Sequence, residues 1–443
     1  MTASATPSPT CSLTAVRMIS RPIAKLLSLG LAIACLSGCN AANTEIASSS
    51  AATATVTPTT DSTEVPASNN VFTSAGDGLY VTTDSGIYEL QTVFPDSANI
   101  FYTDANTKER IFLCANPNCT HADESCPSYI ATPSAMFPPM LLRVGDQLLV
   151  VFTETTDSSN PHGMLMNMDG SNRRTVFELA SNQYMQGGFC TSGNDLYFDL
   201  YEINDSGNVT YQLWYVSFEN GTSEKVMDLG SDSDHYSLCD GVNNELCFNH
   251  LSSDGISYCM YDPQSKTMSD PFFVDSSSSG NSMIQDGYLF VLDEQANSVQ
   301  RIRLSDKEQA SASFTVKEGF GAPSMRYLFD GNLMITEAQT LAADIPTDGS
   351  YDMCSYILDF DTRNCTEFTL QTPYNNRPVY VLTTIGDACY VATDYKTYTP
   401  TSVSEDGTVS NFDYVANIYA FITKQDYINS NQNGYLMVKD AFE

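Results

Sequence analysis

The chain has 443 residues, with 20 Lys and Arg against 53 Asp and Glu, a formal charge of −33, 13 Cys, 4 His and a single Trp. A hydrophobic fraction of 42% with 11% aromatics is enough for a folded core and excludes wholesale disorder. The charge excludes nucleic acid as a partner, because affinity for phosphate backbones comes from clustered Lys and Arg.

Residues 1–38 contain Arg17, Arg21 and Lys25, no acidic residue, and the apolar run from Leu26 to Cys35. A basic flank followed by a short apolar run is the order of an export signal peptide, and the run falls short of the ~20 residues that a membrane-spanning helix needs. Leu36-Ser37-Gly38-Cys39 follows at once and looks like a bacterial lipobox. In leaders of that kind the Cys is diacylated and becomes the mature N-terminus. Cys39 is therefore the expected lipidation site, the cell membrane the expected partner through that anchor, and its extracellular face the expected location. Two acyl chains hold a protein to a bilayer without help from basic residues. Residues 39–70, rich in Ser, Thr and Ala, hold few larger apolar side chains and read as a disordered tether.

Residues 71–443 carry one phrase that returns seven times. It is Gly76-Asp77-Gly78, Gly145-Asp146-Gln147, Gly193-Asn194-Asp195, Asn243-Asn244-Glu245, Gln285-Asp286-Gly287, Asp330-Gly331-Asn332 and Gly386-Asp387-Ala388. An apolar triplet such as Leu148-Leu149-Val150 or Leu333-Met334-Ile335 follows each copy. The polar residues suit the positive φ of a tight hairpin turn, and the triplet reads as a buried inner strand. A second phrase follows most copies: an apolar strand, a turn and another strand, as in Tyr356 to Asp361 before Phe368-Thr369-Leu370. Each unit thus holds about four strands in roughly 42 to 69 residues, the signature of propeller blades. The predicted fold is all-β, a seven-bladed β-propeller, with a six- or eight-bladed ring or β-sandwiches as the alternatives. The ring is expected to close by pairing the segment around Val71 and Phe72 with the segment from Tyr435 to Val438. Residues 92–138 in the first unit and 394–415 in the last read as insertions.

Within the first insertion Cys114, Cys119, His121 and Cys126 follow the spacing C-x4-C-x-H-x4-C. Three Cys and one His so close together fit a tetrahedral structural zinc site. In an exported chain a disulfide between two of the three Cys is the rival, and a reactive thiol the third reading. Of the other cysteines, Cys247, Cys259 and Cys389 occupy apolar positions suited to core packing, while Cys354 and Cys365 flank one hairpin and admit a bridge. His162, His235 and His250 read as isolated surface histidines, and Asp359-x-Asp361 and Asp232-x-Asp234 as solvated turns. No catalytic constellation stands out.

The lipobox, the blade repeat and the segment Pro117-Asn118-Cys119-Thr120-His121 together resemble uncharacterised propeller lipoproteins of low-GC Gram-positive bacteria. That resemblance implies a fold and a location and no activity. The expected function is non-catalytic binding of an envelope protein, peptide or glycan by the propeller. The alternative is a glycan lyase or hydrolase with carboxylates gathered at the propeller channel.

Overall fold

The computed structural model describes residues 72–74, 78–94, 97–132, 138–156, 159–275, 281–339, 352–398, 401–403, 409–411 and 414–440. The leader, Cys39, the tether and Val71 lie outside the described residues. The chain separates into two compact units. In the first, 1–65 with 397–415, the described residues include an antiparallel hairpin, Thr401–Val403 with Val409–Asn411. It falls in the stretch that the sequence marks as the second insertion.

The other unit, 66–396 with 416–443, is built from seven successive antiparallel meanders. The second strand of each is the hub. It is Gly86–Phe94 in blade 1, Gln147–Phe152 in blade 2, Asp195–Ile203 in blade 3 and Glu245–Ser252 in blade 4. In blades 5 to 7 it is Tyr288–Asp293, Leu333–Gln339 and Ala388–Tyr398. First strands lie against one another around the ring: Tyr80–Thr82 of blade 1 meets Met140–Val144 of blade 2 and Val381–Ile385 of blade 7. They are therefore the inner strands.

In blades 2 to 7 the recurring phrase is the turn between first and second strands, and its left-handed residues supply the hairpin geometry: Gly145, Gly193, Asn243, Asp286 with Gly287, Asp330 with Gly331, and Gly386. The first copy differs. Its triplet enters the innermost strand of blade 1, Tyr80–Thr82, one strand earlier than in the other blades. The apolar runs are continuous because each hub strand is covered on both faces by neighbouring blades. Leu148, Leu149 and Val150 are fully buried, as are Leu333, Met334 and Ile335.

Each junction between blades has its own apolar cluster. Leu149 and Leu165 of blade 2 pack with Met185 and Phe198 of blade 3. Cys247 and Met260 of blade 4 pack with Leu289 and Ile302 of blade 5. The series ends by joining last to first: Ile87 of blade 1 packs with Tyr390, Tyr419, Phe421 and Val438 of blade 7. A ring of seven blades is closed by that junction.

Closure corrects one expectation. Leu436–Met437 does serve as the outer strand of blade 7, pairing with Ala420 and Phe421, and the chain then reaches blade 1. There Lys439 makes a parallel bridge to Glu109, and Arg110 N–H donates to the Lys439 carbonyl. The partner is not the Phe72 segment. Thr73–Ser74 instead pairs with Thr191 and Cys190 on the inner edge of blade 3, and Phe72 N–H donates to the Asn243 carbonyl at 2.8 Å. Gly241 permits this approach, since a Cβ there would collide with the Phe72 side chain. A two-residue strand has no periodic pattern, so its partner does not show in the sequence.

The closing junction is also polar. Arg110, 1% exposed, donates from Nε and Nη2 to Glu89 Oε2 at 3.0 and 2.9 Å, and from Nη2 to Gln91 Oε1 at 2.6 Å. Its Nη1 reaches Asp440 at 3.1 Å, and its guanidinium lies 3.8 Å above the Phe101 ring. Tyr419 donates its hydroxyl to the other Glu89 oxygen at 2.5 Å and stacks on Tyr390. Burial opposes the charge on Arg110, but Glu89 outweighs it and holds the guanidinium protonated.

Candidate metal centre

Residues 92–138 are only partly an insertion. Ser97–Asp104 is the third strand of blade 1, and its outer neighbour comes in two collinear pieces: Arg110–Phe112 pairs with Thr103 to Phe101, and Tyr129–Ala131 pairs with Asn99 to Ser97. The true excursion is 113–128, a loop thrown out from the middle of the outer strand. It contains Cys114, Cys119, His121 and Cys126.

Short turns fold this loop. Cys119 N–H donates to the Asn116 carbonyl and Cys126 N–H to the Asp123 carbonyl. The side chains of Asn116 and Asp123 accept from the backbone two residues on, closing Asx turns. His121 takes a left-handed backbone, φ 56°, costly for a non-glycine residue. Its N–H points at Cys119 Sγ at 3.4 Å, its ring stacks on Phe112 at 4.0 Å, and its Nδ1 lies 3.2 Å from Cys126 Sγ. The one ligand atom offered by each of the four residues lies within 4.8 Å of the other three. Among the described residues, this is the group of three or more His, Cys, Asp or Glu side chains that converges in this way.

Neighbouring strands hold the cluster. Ser128 Oγ is 3.1 Å from Cys126 Sγ and donates to Asn99 Oδ1 at 2.8 Å. Arg173 of blade 2 donates to the carbonyls of Pro127 and Tyr129, tying the returning chain to the next blade. Gly170 lets the two segments meet, because a Cβ there would strike the Pro127 carbonyl. Burial pushes the Cys126 thiol up, but hydrogen bonds from Ser128 and His121 outweigh it and bring it down to about 6. The Cys114 thiol is pushed up, chiefly by burial. The sequence pointed to the four donors and missed Ser128, Asn99, Arg173 and Phe112, whose parts depend on strand pairing and carry no motif.

The other singled-out residues do not assemble. None of the ten cysteines of the described residues is in a disulfide, and Cys354 meets Glu337 rather than Cys365. In strand register Cys365 faces Leu358, so the suggested bridge across that hairpin is not formed. The three histidines sit on strands rather than loops, each stacked on an aromatic ring: His162 on Phe152, His235 on Tyr211 and His250 on Tyr236. His235 is buried, against the surface position expected. Asp359 caps its turn by accepting from Asp361 and Thr362 N–H, and Asp361 pairs with Arg301. A cleft of about 460 Å³ lies between the inner turns of blades 1 and 7. Its cations are internally engaged, Lys108 with the Ala105 carbonyl and the Phe421 face, Arg143 with the Gly145 carbonyl.

No family model matches the sequence, and no curated protein matches it. Solved structures with a similar strand arrangement include puromycin hydrolase, at 11% identity and TM-score 0.42, covering 79% of this chain and 58% of that one. Oligogalacturonate lyase from Vibrio parahaemolyticus has 9% identity and TM-score 0.37, covering 79% and 91%. TolB from Acinetobacter baumannii has 9% and 0.32, covering 83% and 79%. The chain spans about a third of the tricorn protease, which it also matches.

Proposed function

We propose that this chain is a membrane-anchored extracellular lipoprotein, lipidated at Cys39, of the low-GC Gram-positive propeller type that its lipobox and Pro117 to His121 segment resemble. Its propeller binds a protein, peptide or glycan partner without catalysis. The observation that supports this reading is the turn end of the ring. In an antiparallel meander the turns after the first and third strands fall at the same end of the sheet. The first turns of blades 1, 2, 5, 6 and 7 carry the exposed carboxylates Asp84, Asp146, Asp286, Asp330 and Asp387, and in blades 3 and 4 Asp195 and Glu245 begin the strand that follows the turn. Local bonds fix their positions: Tyr327 donates to Asp286, and Lys424 reaches Asp330. A rigid ring with carboxylates at one end steers a cationic partner, and such steering weakens with salt.

The test is capture of partners from envelope extracts on the purified propeller at low and high salt, beside an activity screen on glycans and peptides. Retention that falls with salt and drops further in an Asp84→Asn, Asp387→Asn double variant supports the reading. Turnover of a substrate that disappears when an inner-turn carboxylate is changed overturns it in favour of the lyase or hydrolase. Mass spectrometry of the mature N-terminus checks the anchor, and an unmodified Cys39 or cleavage elsewhere overturns that part.

A further inference from the structure

The geometry points to a structural zinc site at Cys114, Cys119, His121 and Cys126 that repairs the broken outer strand of blade 1. Three thiolate sulfurs and one imidazole nitrogen are a closed ligand set for a tetrahedral Zn²⁺, with no position left for water or substrate. With Zn–S near 2.3 Å and Zn–N near 2.0 Å, a tetrahedral site has ligand-to-ligand edges of roughly 3.5 to 3.8 Å. Four donors already within 4.8 Å of one another reach that arrangement by small adjustments, the His121 Nδ1 to Cys126 Sγ edge of 3.2 Å opening slightly.

Two features separate this site from a disulfide-stapled loop. The first is His121. A disulfide would give the ring no task, yet the left-handed backbone and the stacking on Phe112 turn Nδ1 to within 3.2 Å of Cys126 Sγ. The second is the surrounding hydrogen bonds. His121 N–H points at Cys119 sulfur, and the Ser128 hydroxyl lies against Cys126 sulfur, contacts that suit thiolates and orient metal ligands. A thiolate only accepts, so in the metal-bound form Ser128 donates to Cys126 and Asn99 turns its amide NH₂ toward Ser128.

The site's place in the fold gives it a task. The excursion 113–128 interrupts an outer strand, and Ala115 to Ser125 places no residue in the buried core. Such a loop cannot hold one shape by apolar burial. A metal joining its start, middle and end would bring Phe112 and Tyr129 into line so that both halves pair with the same neighbour. It would also fix Pro127 for Arg173. The ion would thereby connect blade 1 to blade 2 at the outer edge of the ring.

The test uses the mature full chain, solubilised in detergent and purified without chelator. Elemental analysis should find about one zinc per chain, and a thiol reagent should release it. Cobalt exchanged into the site should give the intense visible bands of a tetrahedral ion and the near-ultraviolet bands of thiolate ligation. Cys119→Ser and His121→Ala should each lower zinc affinity at least about tenfold. Removing the metal from the wild type should open the chain to protease between residues 113 and 128 while the ring still melts cooperatively. A Cys-to-Cys cross-linked peptide within the cluster, or three free thiols that bind neither zinc nor cobalt, would overturn the proposal. Zinc that stays bound in both variants would overturn it too.

Discussion

Two junctions between blades solve the same packing problem with different chemistry. Between blades 2 and 3 the buried cluster is apolar, with Leu142, Leu149, Leu165, Phe189, Phe198 and Leu200 all buried. Between blades 7 and 1 the aromatic cluster surrounds Arg110, Glu89 and the Tyr419 hydroxyl, and the chain's last described residue, Asp440, completes the set. Blades 2 and 3 are consecutive, so chain connection already places them side by side. Blades 7 and 1 are joined across most of the sequence, and nothing but their contact brings them together. Burying a charge is costly, and a buried ion pair is often no more stable than hydrocarbon of the same shape. What it adds is discrimination. An apolar face accepts a sliding partner, whereas the Arg110–Glu89 pair, formed within blade 1, is completed only when the Tyr419 hydroxyl and Asp440 arrive in one register. Polar residues at the closing junction are thus best understood as setting register, with the apolar junctions supplying most of the cohesion.

Arg110→Ala should have the largest effect. It leaves Glu89 buried without its cation and unfastens Asp440, at a cost of about 3–5 kcal/mol. Chemical denaturation should show it as a large fall in midpoint. Arg110→Met combined with Glu89→Leu should recover much of that loss, because both charges are gone. If the pair is as unstable as the single variant, the ion cluster contributes cohesion as well as register.

Leu149→Ala, at the apolar junction, should cost about 2–5 kcal/mol through lost transfer energy and the cavity left behind. Its loss should not be recovered by any change at Arg110, since the two sites share no partner. Thermal melts of the single and double variants decide this, and strong coupling would mean that the junctions communicate around the ring.

Tyr419→Phe deletes one hydroxyl and leaves a Glu89 oxygen short of a donor, so about 1–3 kcal/mol is expected. A neutral result would show that water replaces the hydroxyl at the closing junction.

The smallest effect is at Glu154, beside the blade 2 to 3 junction. Burial pushes its carboxyl up to about 6. The folded protein therefore keeps a proton that the unfolded chain has already lost, and stability falls as pH rises from about 4 through about 6. Glu154→Gln should raise the melting temperature by a degree or so above pH 6 and leave it unchanged near pH 4. Identical profiles would mean that the carboxylate is solvated in the folded state.

The contrast between junctions also explains what could be read in advance. Blade number and most turn positions were legible because Asp286-Gly287 or Gly386-Asp387 followed by a buried run is a local signature of a tight turn before a strand covered on both faces. The Cys and His donors were legible for the same reason, being close together in sequence. Closure was not. Arg110 and Glu89 are ordinary charged residues until blade 7 covers them, and Asp440 joins them from the other end of the chain. Cys365 was misread because hairpin neighbours in sequence need not be neighbours in register. His235 was misread because the aromatic face of Tyr211 that covers it comes from blade 3.

The two-residue strand at Thr73–Ser74 has a mechanical consequence. Tension on the chain ahead of Phe72 is delivered to the inner edges of blades 3 and 4, where Phe72 donates to the Asn243 carbonyl and its ring is buried among Cys190, Tyr197 and Leu238. It does not reach the Arg110 cluster directly. A pull from that side therefore loads the two-residue strand and the buried Phe72 ring, between blades 3 and 4, before it loads the closing junction.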